Sequence, residues 1–135
     1  MIYRRCGRCG KRIPSGTRCD CLKQRHKEYD RYARDKKLKV FYDSVAWIQK
    51  RRYVLDRDNG IDVYVFMKTG EVILADTVHH IVPLKDDWSR RLDEENLMSL
   101  NHDTHSLIES KYKENKDGMI EELEQMLREF RSIEW

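Results

Sequence analysis

All four cysteines of this 135-residue chain fall between positions 6 and 21, so its first segment must be organised around sulfur. Cys6 and Cys9 form a C-x2-C pair; nine residues later Cys19 and Cys21 form a C-x-C pair. A stretch this short buries too little apolar surface to fold unaided. Each pair can present two sulfurs to one ion, with the intervening residues folding back as a loop. Four thiolates in a tetrahedron suit zinc, at ~2.3 Å per Zn–S bond, and such a closed set is structural. The alternative chemistry is two disulfides, and His26 could replace one sulfur. The opening Met1-Ile2-Tyr3-Arg4-Arg5 lacks the apolar run of a secretory leader, which favours the metal and a cytoplasmic location.

Hydrophobic residues make up 39% of the chain and charged residues 38%, too polar a mixture for a large core. No window approaches the ~18 consecutive apolar residues of a membrane span. The net charge of +3 hides an asymmetry. Residues 1–60 carry 18 Lys/Arg against 7 Asp/Glu, a net +11, and residues 61–135 carry 9 against 17, a net −8. A basic half points to a polyanion, nucleic acid being the usual one; a plain solvated surface is the alternative.

Residues 23–39 are highly charged with weak apolar periodicity, which predicts a helix or extended arm outside the core. Its lysines and arginines, with Tyr29 and Tyr32 between them, are compatible with tracking a phosphate backbone; a solvated linker is the alternative. In residues 43–58, Val45, Trp47, Ile48, Val54 and Leu55 give a helical stripe. Asp43 or Ser44 can cap that helix and Asn59-Gly60 can end it; its other face carries Lys50, Arg51 and Arg52. The alternation in residues 61–67 predicts a strand, returning through Lys68-Thr69-Gly70 to a partner at Glu71–Leu74. Residues 101–115 and 117–133 read as two helices separated at Asp117-Gly118, the second with a strong apolar face.

Four of the five histidines sit in the 27 residues from His79 to His105. His79 and His80 are adjacent on a short extended segment, so they point to opposite faces. One can bind a metal while the other faces a different part of the same cleft. An imidazole titrating near neutral pH suits proton removal from water. Asn96 opens a second piece, Asn96–Leu100, that follows a charged loop, and His105 lies on the following helix, where Asn101 or His102 could share its face.

This constellation resembles the HNH endonucleases, whose ββα-metal motif holds one divalent cation between a β-hairpin and a helix. The likeness is greatest to tailed-phage HNH nucleases of the kind encoded near DNA-packaging genes. Three stretches carry it: FYDSVAWIQKRRYVLDRDNG (41–60), VHHIVPLKDDW (78–88) and NLMSLNHDTHSLIESKYKE (96–114). The resemblance implies an α+β fold in which a ββα-metal motif is flanked by helices and preceded by a small zinc segment. The corresponding regions are a four-cysteine zinc segment (1–22), a basic arm (23–40), the nuclease domain (41–115) and a terminal helix (116–135).

Carried over position by position, the resemblance makes His79 and His105 the protein ligands of the catalytic ion. His80 becomes the general base, and Asn96 the residue that braces the loop and helps hold it. Asn101 is a candidate third ligand, and His102 a surface or phosphate contact. Many relatives also carry two C-x-x-C pairs that bind a zinc stapling the motif. Here those positions fall near Asp62 and Val65 and at Asn101 and Thr104, without cysteine. That zinc is therefore expected to be absent and the motif to be held by packing.

The implied activity is divalent-metal-dependent hydrolysis of duplex DNA, by nicking or double-strand cleavage, leaving 5′-phosphate and 3′-hydroxyl ends. Mg²⁺ or Mn²⁺ is the expected catalytic ion, with Ni²⁺ or Co²⁺ possible substitutes, and Zn²⁺ the structural one. Expected partners are DNA and phage terminase or packaging proteins, in the host cytoplasm, with the protein a monomer or homodimer. The rivals are a non-catalytic zinc-containing DNA-binding protein, a metal-dependent RNA nuclease, and a degenerate packaging scaffold. Of these, the first explains the cysteines and basic half but leaves the histidines and Asn96 unexplained.

Overall fold

Two short strands flank the first cysteine pair. β1 (Tyr3–Arg5) and β2 (Arg12–Pro14) pair antiparallel, with Arg4 opposite Ile13. The turn between them closes through Cys6 N–H to Lys11 O (2.8 Å) and Gly10 N–H to Cys6 O (2.9 Å). Gly10 sits at φ +75°, which a side chain would resist. Helix α1 (Cys21–Tyr42) follows, nearly all of it exposed as its polarity dictates. The computed structural model describes residues 2–135, the side chains of Leu22 and Gln24 excepted. It divides into two compact units, Met1–Asp43 and Ser44–Trp135. No helix among the described residues is long and apolar enough to cross a membrane.

The second unit begins with α2 (Val45–Arg57), capped by the Ser44 side chain accepting from Trp47 N–H. Trp47 and Val54 are buried, but Val45 and Ile48 are exposed, so the core-facing stripe is narrower than the apolar pattern predicts. Residues 61–67 correct the sequence reading outright. They form no strand: α3 (Val63–Thr69) is a helix, and only an isolated Ile61–Leu74 bridge remains of the expected hairpin. Local chemistry decides it. The Asp62 carboxylate accepts from Val65 N–H as an N-cap, and Gly70 at φ +77° closes the other end. Val63, Tyr64, Phe66 and Met67 all turn to the core, which a seven-residue helix achieves and a strand cannot.

The working sheet is formed by β3 (Thr77–His80) and β4 (Leu97–Leu100), antiparallel, with His79 opposite Met98 and His80 opposite Leu97. A 16-residue connection with two 3₁₀ turns, Trp88–Arg90 and Glu94–Asn96, joins them. Helix α4 (His102–Arg131) starts at the Asn101 cap and is broken at Asn115 (φ −153°, ψ 84°). The break lies before Asp117-Gly118, because the Asn115 carboxamide recaps the helix by accepting from Gly118 N–H. A Cβ at position 118 would collide with that carboxamide. The second half of α4 then lays Met119, Leu123, Leu127 and Phe130 into the core shared by α3 and β4.

Two buried carboxylates lock this unit. Asp58, fully buried, pairs with Arg57 (2.8 Å) and accepts from Ser99 N–H (3.0 Å). Arg57 also donates to Glu94 O and Leu97 O, pinning α2 to the sheet. Asp62, also fully buried, accepts from Val65 N–H and Asn101 N–H, both at 2.8 Å.

Candidate active site

Alternation along β3 separates the two histidines. His79 points toward α4, where His105, Glu109 and Tyr112 share one face at i, i+4 and i+7. The His79 and His105 rings are 5.1 Å apart, centre to centre. Glu109 Oε1 lies 3.3 Å from His105 Nε2 and 3.9 Å from His79 Nδ1. One donor atom from each of these three residues falls within 4.8 Å of the others, close enough to converge on one cation. Burial, then the neighbouring His105 and His80, push the His79 pKa down to about 3. Its ring is therefore neutral at physiological pH, the form a ligand needs.

His80 faces the opposite way. Its Nε2–H donates to Arg91 O at 2.9 Å, and its ring stacks on Trp47 at 5.0 Å and 22°. A carbonyl can only accept, so a neutral His80 carries its proton on Nε2 and its basic lone pair on Nδ1. Burial lowers its pKa, the Arg91 hydrogen bond opposing. Asn96 is buried and grips Val82 twice: its Oδ1 accepts from Val82 N–H (2.8 Å) and its Nδ2 donates to Val82 O (3.1 Å). It thus fixes the chain leaving β3 and does so through backbone, while Arg91 and Trp47 hold the His80 ring.

In the first unit the four sulfurs lie within 4.8 Å of one another. Cys6–Cys21 is 3.7 Å and Cys9–Cys19 is 3.6 Å. A tetrahedron with ~2.3 Å arms has edges of ~3.8 Å, whereas a disulfide needs ~2.05 Å. All four cysteines are unbridged. Backbone N–H groups of Cys9 and Arg8 bring the Cys6 thiol down to about 6, and the Cys6 contact pushes Cys21 up to about 12. Four thiolates this close repel one another, and a divalent cation is what lets all of them ionise.

The HNH endonuclease family model matches residues 67–111, a stretch holding His79, His80, Asn96, His105 and Glu109. A solved structure, the HNH endonuclease of the deep-sea thermophilic bacteriophage GVE2 with a manganese ion, is similar at 38% identity and a TM-score of 0.59. The match covers 65% of this chain and 95% of that one. The chain belongs to the HNH endonuclease family. No curated protein matches it.

Membership gives the β3–β4 hairpin and the first half of α4 their meaning: together they are the ββα motif of an HNH nuclease, set in an α+β fold. The Asp62 carboxylate ties the α3 start to the α4 start by two backbone hydrogen bonds. Asn101 is turned away from the cation donors: its Nδ2 donates to Leu74 O and its Oδ1 caps Asp103 N–H. His102 is exposed. Glu109, which sequence reasoning missed, offers the third potential donor atom beside His79 and His105. The available signal was its i+4 spacing from His105.

Proposed function

We propose that this HNH nuclease hydrolyses phosphodiester bonds of duplex DNA, with His80 as general base beside a divalent cation held by His79, His105 and Glu109. The convergence of those three donors on one side of β3, with His80 tautomerically fixed on the other, carries the reading. Two neutral imidazoles and one carboxylate suit Mg²⁺ or Mn²⁺, with Ni²⁺ or Co²⁺ as substitutes. When bound, such a cation supplies Lewis-acid stabilisation of the phosphate and of the departing oxygen. His80 Nδ1 accepts a proton from a water, whose oxygen attacks phosphorus in line with the 3′ oxygen. That P–O3′ bond breaks and the departing 3′ oxygen takes a proton from solvent water, leaving 5′-phosphate and 3′-hydroxyl ends. Asn96 keeps the segment after His80 in place throughout. The described residues hold one such centre per chain, so a nick is the minimal event; a double-strand cut requires a homodimer or two nicks.

End-labelled duplex DNA, single-stranded DNA and RNA of one sequence, incubated with Mn²⁺ or with EDTA, test the substrate class. Duplex cleavage with Mn²⁺ alone, leaving ligatable 5′-phosphates, is the expected result; preferential RNA cleavage overturns it. For the cation, calorimetric Mn²⁺ titration of His105→Ala and Glu109→Ala is expected to show affinity falling at least tenfold in each. An unchanged affinity removes that residue from the ligand set.

The Cys6, Cys9, Cys19 and Cys21 cluster is read as a structural Zn²⁺ site, supported by its tetrahedral S–S edges. It stands at the start of α1, whose Lys and Arg residues and exposed Tyr29 and Tyr32 fit non-specific contact with a phosphate backbone. Cys21→Ser is expected to collapse the amide NMR signals of residues 3–21 while leaving those of the second unit in place. Retention of the first set shows that the hairpin folds without the metal. A link to phage terminase or packaging proteins, in the host cytoplasm, is the context the phage resemblance favours.

A further inference from the structure

We infer that Tyr112 is a positioning residue that fixes the tautomer of His79, so that Nδ1 rather than Nε2 faces the cation site. This rests on the reading of His79 as a cation ligand and adds to it the group that makes the ligand competent.

The Tyr112 hydroxyl has one proton, and it donates that proton to Ile81 O at 2.6 Å. Toward His79 Nε2, 2.9 Å away, the same oxygen can then only accept. Nε2 therefore carries the hydrogen of a neutral His79 ring, and Nδ1 carries the lone pair. His79 is 3% exposed and Tyr112 8%, so bulk water is a poor substitute for either partner.

Glu109 makes the choice matter. Its carboxylate lies 3.9 Å from His79 Nδ1 and on its own attracts a proton to that nitrogen. A proton on Nδ1 would block the lone pair aimed at His105 and Glu109. The Tyr112 hydroxyl opposes this by offering its acceptor to Nε2–H. Because Ile81 follows His79 by two residues, one hydroxyl holds both the ring and the backbone leaving β3. His105, Glu109 and Tyr112 thus form a single stripe of α4 in which two members are cation donors and the third prepares the donor opposite. A tyrosine that merely filled the core would need its ring and not its oxygen.

Long-range ¹H–¹⁵N NMR of the histidine rings in the metal-free full chain, with calorimetric Mn²⁺ titration, tests this in wild type, Tyr112→Phe and His79→Ala. The wild type is expected to show His79 as the Nε2–H tautomer; a predominant Nδ1–H form overturns the inference without any variant. Tyr112→Phe retains the ring. It is expected to move His79 toward Nδ1–H, leave the His80 tautomer unchanged, and weaken Mn²⁺ binding roughly 10–100-fold. An unmoved His79 tautomer in Tyr112→Phe overturns the role of Tyr112. Unchanged Mn²⁺ affinity in His79→Ala overturns instead the ligand reading beneath it, which the tautomer spectra do not touch.

Discussion

His80→Ala is expected to lower single-turnover cleavage of supercoiled plasmid by roughly 10²–10⁴, the range lost with a positioned general base. The effect should be confined to chemistry. His80 faces away from His79, His105 and Glu109, so Mn²⁺ affinity should stay within about twofold of wild type, and so should DNA affinity. Two structural features suit His80 to the role of base at neutral pH. The Arg91 carbonyl holds the proton on Nε2, and burial keeps the imidazole neutral by lowering its pKa. His80→Gln sharpens the test, since its amide can still donate to Arg91 but cannot take a proton. Both variants should be equally inactive. Cleavage by either within tenfold of wild type would refute the assignment of His80 as base.

The largest expected loss of stability follows Arg57→Ala. Arg57 is the partner of a carboxylate that has no solvent exposure, and it also satisfies the carbonyls of Glu94 and Leu97. Removing it strands the Asp58 charge beneath the sheet, where Ser99 N–H is its remaining hydrogen-bond donor among those described. Breaking a buried pair from one side costs roughly 3–5 kcal/mol, most of it from the uncompensated charge. Chemical denaturation should show this as a fall in midpoint with little change in slope. Arg57→Ala with Asp58→Asn should recover part of the loss, because the neutral amide no longer needs a counter-charge. A loss below about 1 kcal/mol in the single variant would mean that water reaches Asp58.

The parts of the fold that depend on one periodicity are legible in the sequence. Strand alternation alone sends His79 and His80 to opposite faces, and the apolar spacing from Met119 to Phe130 alone specifies a core helix. Where two local signals compete, the pattern of apolar residues misleads. Residues 61–67 alternate like a strand, yet Asp62 and Gly70 are a cap and a stop on either side of a seven-residue helix, and capping prevails. Val45 and Ile48 fit a helical stripe but sit on its exposed side, because α2 buries only the turn-spaced pair Trp47 and Val54. Glu109 is invisible for a different reason. An acidic residue on a half-exposed helix is ordinary until β3 is known to lie across from it. The same holds for Asp58 and Asp62, whose value comes largely from backbone groups about 40 residues away.

One divalent cation is proposed to sit between β3 and α4, apart from His80. Anomalous diffraction from crystals soaked in Mn²⁺ tests it most directly. A single manganese peak within bonding distance of His79 Nδ1, His105 and Glu109, with His80 Nε2 still on Arg91 O, is the predicted result. A peak ligated by His80, or by His79 through Nε2, would contradict it.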